Sequence, residues 1–289
     1  MGGLSPDDPL ARAVLDWGAG SLRDLPWRAS REPWPVLVSE VMLQQTPVTR
    51  ALQPWRAFMT AFPAPVDLAR APLSAALVLW QGLGYPRRCR NLHDTAGLLV
   101  ERHGGEVPGD LEALLALPGI GPYTARAVLA FSFGADVAAI DTNISRVLAR
   151  TAGEAMNARA LGERAAAVLP AGRAWEWNQA MMDLGARICT ARIPRCDECP
   201  LVSLCRWRGG PSPDPAARSA GASRPQARFE GSDRQLRGRA MAALAAGPLG
   251  TGELIRAMNA DDPGRCRRLL DALVAERLVV SEGDLHRLP

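Results

Sequence analysis

The sequence predicts an all-α protein with two lobes, followed by a linker and a small winged-helix-like domain. Alanine, leucine and arginine recur at helical spacing from residue 9 to residue 185, and proline or glycine divides the pattern into short helices. Strand-like alternation is nearly absent from this stretch. Residues 209–232 then shift to proline, alanine, serine, glycine and arginine, a composition typical of a flexible linker.

The segment after the linker has a pattern of its own. Helical spacing predicts three helices over 233–246, 251–259 and 263–277, and two short extended runs flank Gly283. Three helices and a terminal hairpin are typical of winged-helix domains, which often contact DNA or protein. A small packing domain without a ligand is an equally good interpretation.

The types of basic residue limit the possible chemistry more than the net charge does. A charge of +4 on 289 residues permits a nucleic-acid partner without requiring one. All 34 basic residues are arginine, and a guanidinium cannot form a Schiff base, so lysine-dependent covalent catalysis is excluded. Because no uncharged stretch is long enough to cross a bilayer, we expect a soluble, cytoplasmic protein.

Four of the six cysteines form the most specific motif. Cys189, Cys196, Cys199 and Cys205 follow the spacing C-x6-C-x2-C-x5-C. Four thiolates this close in sequence can bind one [4Fe-4S] cluster, and the loop between them is too short to fold alone. Tetrahedral zinc and a disulfide framework are the alternatives. The spacing fits zinc less well, and the missing secretion signal disfavours disulfides.

A helical hairpin is predicted over residues 111–131. Apolar residues at helical spacing lie on both sides of Pro118-Gly119-Ile120-Gly121-Pro122, so the centre must be a tight turn. Glycine permits that turn, and proline suits the first position of the next helix. The free N–H groups at such a helix start are natural phosphate ligands. A plain glycine turn between two helices is the alternative.

An aspartate follows the hairpin at the start of the next predicted helix. There the side chain of Asp141 can cap the amides of Asn143 or Ile144, which is sufficient reason for an aspartate. The same cap would also hold an ionised carboxylate rigidly, as the stabilisation of a cationic transition state requires.

Glu40 is the second candidate carboxylate. Valine, leucine and methionine surround it in sequence, and an apolar setting favours the protonated form that a general acid needs. A hydrogen-bonded structural glutamate is the alternative. Thr46 and Pro47 should end the helix that carries Glu40, leaving Gln44 and Gln45 at a helix junction.

Several short segments precede the cysteine loop in a characteristic order: LPWR, SEVMLQQT, LWQGLGY, RNLH, LPGIGPYTARAV, DTN and NQAMMDLG. Together with the loop, they resemble adenine DNA glycosylases of the MutY type, in the helix-hairpin-helix, iron-sulfur glycosylase superfamily. The resemblance extends from about residue 25 to residue 207, which is most of the chain.

The resemblance implies roles for the catalytic residues. Glu40 corresponds to the acid that protonates adenine at N7. Asp141 corresponds to the carboxylate that stabilises the oxocarbenium ion and helps to direct water to the sugar. Tyr123 and Asn143 correspond to their supporting partners. The adenine must leave the duplex before this chemistry can occur.

The resemblance also implies contacts to the DNA. Gln45 and Tyr85 correspond to the pair that enters the base stack beside the opposite guanine or 8-oxoguanine. The other expected substrate contacts are Trp27, Arg28, Leu43 and Asp183. The residues expected at a DNA phosphate are Gly119, Gly121 and Thr124.

Domains, cofactor and partner are implied in the same way. A six-helix domain with the hairpin would span 31–137, and a cluster domain would combine 1–30 with 138–208. The linker 209–232 and the winged-helix-like domain 233–289 would follow. The four cysteines would bind a [4Fe-4S] cluster. The enzyme would act as a monomer on double-stranded DNA with an A·8-oxoguanine or A·G mispair, away from membranes.

Three other functions share part of this pattern. Endonuclease III-like enzymes share the hairpin, the aspartate and the cysteines, but they carry a lysine where this sequence has Tyr123. Base removal without strand cleavage is therefore predicted. A thymine or uracil mismatch glycosylase also lacks that lysine, and Glu40 with its neighbours favours adenine instead. A non-catalytic DNA-binding scaffold is disfavoured because both Glu40 and Asp141 are present.

The resemblance stops at the C-terminal region. The family commonly ends in a Nudix-like domain that helps to recognise 8-oxoguanine, whereas the residues after the cysteine loop have the pattern of a linker and three helices. The sequence therefore looks like a short form of the family. Discrimination of 8-oxoguanine from guanine would either depend on Gln45 and Tyr85 or be relaxed.

Overall fold

The computed structural model describes residues 8–210, 213–222 and 227–289. These residues form two compact units, each built from several stretches of the chain. The first unit takes the described parts of Met1–Pro33, Gly109–Leu111 and Gly121–Pro225, and the second takes those of Trp34–Pro108, Glu112–Ile120 and Gln226–Pro289. The predicted division at 31–137, 138–208 and 209–232 stays a prediction.

Helices dominate the described residues, as the sequence predicts, and a small sheet makes the fold mostly rather than entirely α. The helices are α1 (Pro9–Ser21), α2 (Pro26–Ala29), α3 (Pro33–Leu43), α4 (Val48–Ala61), α5 (Pro65–Arg70), α6 (Leu73–Leu79), α7 (Arg87–His103), α8 (Leu111–Leu115), α9 (Pro122–Ser132), α10 (Thr142–Ala152), α11 (Ala158–Val168), α12 (Ala174–Arg187), α13 (Asp233–Ala246), α14 (Thr251–Met258) and α15 (Pro263–Ala275). Two 3₁₀ turns, Cys196–Glu198 and Pro215–Arg218, lie in and after the cysteine loop. Among the described residues, no helix has the length and hydropathy that a membrane crossing requires.

Helix α12 is central to the first unit and packs against both α1 and α10. Trp177 on α12 is fully buried. Gly18 of α1 permits a close approach, because a Cβ at this position would lie 2.7 Å from the Cβ of Ala180. This packing fixes α12 against α10, whose first turn carries Asp141 as its N-cap.

Part of the segment predicted as a linker is packed in the first unit. The 3₁₀ turn Pro215–Arg218 contacts α10, and Pro215 and Ala216 are buried. Backbone and side-chain hydrogen bonds join Met156 to Ser219 and Ala220. The low content of large apolar residues concealed this contact, because small side chains and backbone groups make it.

The second unit contains α3 to α7 and the C-terminal elements. Helix α7 packs against α5 and α6. Phe58 of α4 makes edge-to-face contacts with Phe62 and Trp80, whose ring centroids lie 4.9 and 5.9 Å away. This aromatic core supports the turn that precedes α7.

The C-terminal elements confirm three predicted helices and the terminal hairpin. α13, α14 and α15 are followed by strands β2 (Val280–Glu282) and β3 (Leu285–Arg287). A further strand, β1 (Leu249–Gly250), completes an antiparallel sheet of order β1-β3-β2, in which His286 pairs with Leu249 and Ser281. Strand β1 was missed because two residues carry no periodic signal.

Candidate active site

Asp141 is the N-cap of α10, as its position in the sequence predicts. One carboxylate oxygen accepts hydrogen bonds from the backbone amides of Asn143 and Ile144, at 2.9 and 2.7 Å. The other accepts a bond from the side-chain amide of Asn143, at 2.7 Å. Three donors therefore fix the orientation of this carboxylate.

Asn143 is in turn tied to the cysteine loop. Arg146 donates to the side-chain oxygen of Asn143 at 2.8 Å and to the backbone oxygens of Cys189 and Gly185 at 2.7 and 2.6 Å. We call this chain of hydrogen bonds, Asp141-Asn143-Arg146-Cys189, the relay. The carboxylate is therefore connected to the first of the four cysteines through side chains of α10.

Gly185 makes the relay possible. A Cβ at this position on α12 would lie 2.6 Å from the Cβ of Asn143, closer than real Cβ contacts allow. The glycine in the NQAMMDLG segment is therefore required by packing against Asn143.

Burial raises the pKa of Asp141. The hydrogen bonds from Ile144 and Asn143 and the charge of Arg146 act in the opposite direction, because they stabilise the ionised form. Burial and the hydrogen-bond donors therefore have opposite effects on the pKa of Asp141, and the effect of burial is the larger.

Glu40 has a different setting in the second unit. It lies on α3 among buried valine, leucine and methionine side chains, and only 6% of its surface is exposed. Helix α3 ends at Leu43, which is half-buried, and α4 starts at Val48. The predicted helix junction at Gln44 and Gln45 is confirmed.

Arg88 connects this junction to the turn before α7. Its guanidinium donates to the backbone oxygens of Val41 and Met42, both at 2.8 Å, and to those of Leu83 and Gly84, both at 3.1 Å. It also donates to the hydroxyl of Thr46. Burial lowers the pKa of Arg88 to about 10.

Arg88 was not predicted as a functional residue, although the sequence contains a signal for it. Arg88 lies four residues before Leu92 and eleven before Leu99, so it falls on the apolar stripe of α7. The neighbouring arginines made this stretch look like a solvated surface.

Gln45 and Tyr85 share an uncommon backbone conformation. Their φ angles are +56° and +50°, in the left-handed region that few residues other than glycine adopt. Such strain persists only where the surroundings impose it, and it is frequent at functional sites. Arg88 lies 5.4 Å from the centre of the Tyr85 ring and fastens the chain next to both residues.

The hairpin turn has the predicted open backbone. Gly119 is exposed with φ of +76°, and Gly121 is the N-cap of α9. A Cβ at position 119 would lie 2.8 Å from the side chain of Asn91, so glycine is required there. Tyr123 and Thr124 follow on α9, the first half-buried and the second buried.

The predicted base-pocket residues include an ion-pair cluster in the first unit. Asp183 is fully buried on α12, and its carboxylate accepts hydrogen bonds from Arg28 at 2.9 Å and from Arg23 at 2.6 Å. These arginines lower the pKa of Asp183 against the effect of burial. Trp27, beside Arg28 on α2, is also buried. Asp183 therefore orients the two arginines.

All four cysteines of the motif line one cavity, of about 400 Å³ including space open to solvent. None of the four forms a disulfide. Within 8–210, 213–222 and 227–289, no three His, Cys, Asp or Glu side chains converge tightly enough to bind a single metal ion.

Two donors already point at sulfur atoms of this cavity. Arg150 donates to Cys189 Sγ at 3.3 Å, and the backbone amide of Arg208 donates to Cys205 Sγ at 3.4 Å. Asp214 orients Arg150 through an ion pair of 2.6 Å. Hydrogen bonds from protein donors to the sulfur ligands are a usual feature of iron-sulfur sites. The donor set therefore fits an iron-sulfur cluster.

The predicted site residues belong to two groups, one in each unit. Asp141 and Asn143 lie in the first unit with Arg28 and Asp183, whereas Glu40, Gln45 and Tyr85 lie in the second.

Comparison with known proteins defines the class. Residues 38–167 match the model of HhH-GPD superfamily base excision DNA repair proteins. A thermostable thymine-DNA glycosylase of solved structure superposes with a TM-score of 0.66 and 30% identity, over 69% of this chain and 95% of that one. An endonuclease III bound to DNA superposes with a TM-score of 0.61 and 25% identity, over 72% of this chain and 98% of that one.

Curated relatives define the family more narrowly. The adenine DNA glycosylase of Mycolicibacterium smegmatis is 40% identical over 94% of this chain and 92% of its own length. The adenine DNA glycosylase of Mycobacterium tuberculosis is 41% identical over 94% of this chain and 90% of its own length. The human adenine DNA glycosylase is 38% identical over 68% of this chain, which corresponds to 39% of the human protein. The chain belongs to the adenine DNA glycosylase family.

Proposed function

We propose that this adenine DNA glycosylase of base excision repair hydrolyses the N-glycosidic bond of adenine opposite 8-oxoguanine or guanine and leaves the strand uncut. The observation that carries the proposal is the Asp141 carboxylate, held by three hydrogen bonds in a chain that is 40% identical to an adenine DNA glycosylase over almost its whole length. A fixed negative charge suits the cationic sugar that forms as the bond breaks.

The chemistry divides between two carboxyl groups. Glu40 gives a proton to N7 of the flipped adenine, so the base leaves as a neutral molecule when the bond from C1′ to N9 breaks. Asp141 stabilises the resulting oxocarbenium ion. Water then attacks C1′, and the Glu40 carboxylate, ionised by the transfer to N7, accepts the proton of that water and becomes the acid again. The buried apolar setting of Glu40 supports its role as acid, and Tyr123 and Asn143 support the groups around the sugar.

Strand cleavage through a Schiff base requires an amine nucleophile, and this sequence contains no lysine. We therefore expect an intact abasic strand as the product.

DNA contacts are assigned from both units. The backbone at Gly119, which is exposed, and at Gly121, which is half-buried, would bind a phosphate together with Thr124. Gln45 and Tyr85 would enter the stack beside the opposite base. The residues assigned to the flipped adenine are Trp27, Arg28, Leu43 and Asp183.

Cys189, Cys196, Cys199 and Cys205 would hold a [4Fe-4S] cluster. When bound, this group supplies a rigid covalent anchor for the loop and a one-electron couple. The four cysteines line one cavity, and the spacing between them fits zinc less well. Iron and sulfide analysis of protein purified without oxygen tests this assignment. Equal amounts of both support it, and zinc without iron contradicts it.

The partner base is tested with a panel of duplexes in which adenine lies opposite 8-oxoguanine, guanine, cytosine or thymine. Enzyme in excess gives the single-turnover rate for each, and free base is measured by chromatography. We expect adenine release to be fastest opposite 8-oxoguanine and guanine. Equal rates on all four duplexes would contradict the assigned mispairs.

A further inference from the structure

The C-terminal elements contact the chain around Tyr85. Arg234, on the first turn of α13, donates to the phenolic oxygen of Tyr85 at 3.4 Å. It also donates to the backbone oxygen of Ala227 at 2.7 Å and lies 5.8 Å from the centre of the Phe229 ring. These contacts orient the guanidinium of Arg234, so the position of Tyr85 is linked to α13.

A separate set of contacts attaches the C-terminal elements to α7. The backbone oxygen of Glu276, after α15, accepts a hydrogen bond from Arg90 of α7, and Arg277 pairs with Asp94 of α7 at 3.3 Å. Within the C-terminal elements, Arg237 of α13 donates two hydrogen bonds to the Glu276 carboxylate, at 3.0 and 2.6 Å. The attachment to α7 therefore includes contacts that do not involve Arg234.

Tyr85 needs support because its backbone is strained. Its φ of +50° carries a cost for a bulky residue. Arg88 contacts the ring face and fastens the preceding turn, whereas Arg234 contacts the hydroxyl. The two arginines fix different parts of one side chain.

We propose that Arg234 is a positioning residue for Tyr85, and that the segment 233–289 thereby sets how strongly the enzyme distinguishes 8-oxoguanine from guanine opposite adenine. The inference rests on the proposed function, in which Tyr85 enters the stack beside that base. The two bases differ at C8 and N7, so the energy difference that Tyr85 can detect depends on where its ring is held. A ring that is held less firmly distinguishes the two bases less well.

The experiment compares single-turnover rates of adenine release from A·8-oxoguanine and A·G duplexes in the full-length protein. Arg234→Met removes the donor while keeping an apolar stem, and Tyr85→Phe removes the acceptor while keeping the ring. Each variant should lower the ratio of the two rates about three- to tenfold, as loss of one hydrogen bond predicts. The double variant should lower it no further, because both changes remove the same contact.

Arg239→Met is the matched control. Arg239 lies on the same helix and donates to the backbone oxygens of Met258 and Asn259. The Arg239→Met variant should leave the ratio of the two rates unchanged. A merely structural role of Arg234 would lower both rates together with the melting temperature, and would leave their ratio at the wild-type value.

An unchanged ratio in Arg234→Met and in Tyr85→Phe would overturn the inference. If the wild-type protein releases no adenine from either duplex, the proposed function fails instead, so the two failures are distinguishable.

Discussion

The two candidate carboxylates lie in different surroundings. Asp141 is fixed by three hydrogen bonds and by a relay that reaches Cys189. Glu40 lies on α3 among buried apolar side chains, and the junction after it is held by the buried guanidinium of Arg88. This difference matches the roles proposed for them, an ionised carboxylate that stabilises a cation and a protonated acid.

This comparison also separates the effects of mutation. Changes around Asp141 should alter geometry and charge, and so affect the rate. Changes around Glu40 should first affect the packing of the second unit, and so affect stability.

The largest effect on the rate is expected from replacing either carboxyl group, because both are assigned to the chemical step. Glu40→Gln and Asp141→Asn should each lower the single-turnover rate about 10²–10⁴-fold, because one removes the proton donor and the other the stabilising charge. Glu101→Gln and Glu163→Gln, at exposed positions in the two units, are the controls. A variant at either candidate position with wild-type activity would exclude that residue from the chemistry.

Arg88→Met tests the packing side of the comparison. Five acceptors lose a buried donor, so the free energy of unfolding should fall by about 3–5 kcal/mol. Urea unfolding measures the change, and Arg102→Met, at an exposed position on the same helix, should have almost no effect. Stability equal to that of the Arg102 variant would show that the Arg88 network contributes nothing.

Gly185→Ala tests the polar side. The added methyl group must displace Asn143, and a shift of the order of 1 Å at a catalytic group costs about 10–100-fold in rate. Gly162→Ala, on α11 with open space at the Cβ position, should keep wild-type activity. Wild-type rates for both variants would mean that the relay does not orient Asp141.

The smallest effect concerns pH. Asp141 must be ionised, and burial raises its pKa, so the rate should fall on the acid side at a pH above the ordinary aspartate range. Asn143→Ala removes a hydrogen bond that lowers this pKa, which should move the acid limb of the pH-rate profile to higher pH. If the acid limb of the variant lies at the same pH as that of the wild type, a group other than Asp141 causes the fall in rate.

Local patterns predicted much of this molecule. The cap at Asp141, the junction after Leu43 and the three C-terminal helices follow from rules that act over a few residues. The bond from Arg234 to Tyr85 joins positions 149 residues apart, and no local rule reports it. Gly185 was missed for the same reason, since Asn143 is distant in the chain, whereas Arg88 was missed although its place on the apolar stripe of α7 was a local signal.

The central claim is hydrolytic removal of adenine, and chromatography of the released base tests it most directly. Purified protein is incubated with two duplexes that differ only in carrying A·8-oxoguanine or T·G, and the strands are analysed before and after hot alkali. The account predicts free adenine from the first duplex, no thymine from the second, and strand breaks only after alkali. Release of thymine, or strand cleavage without alkali, would contradict it.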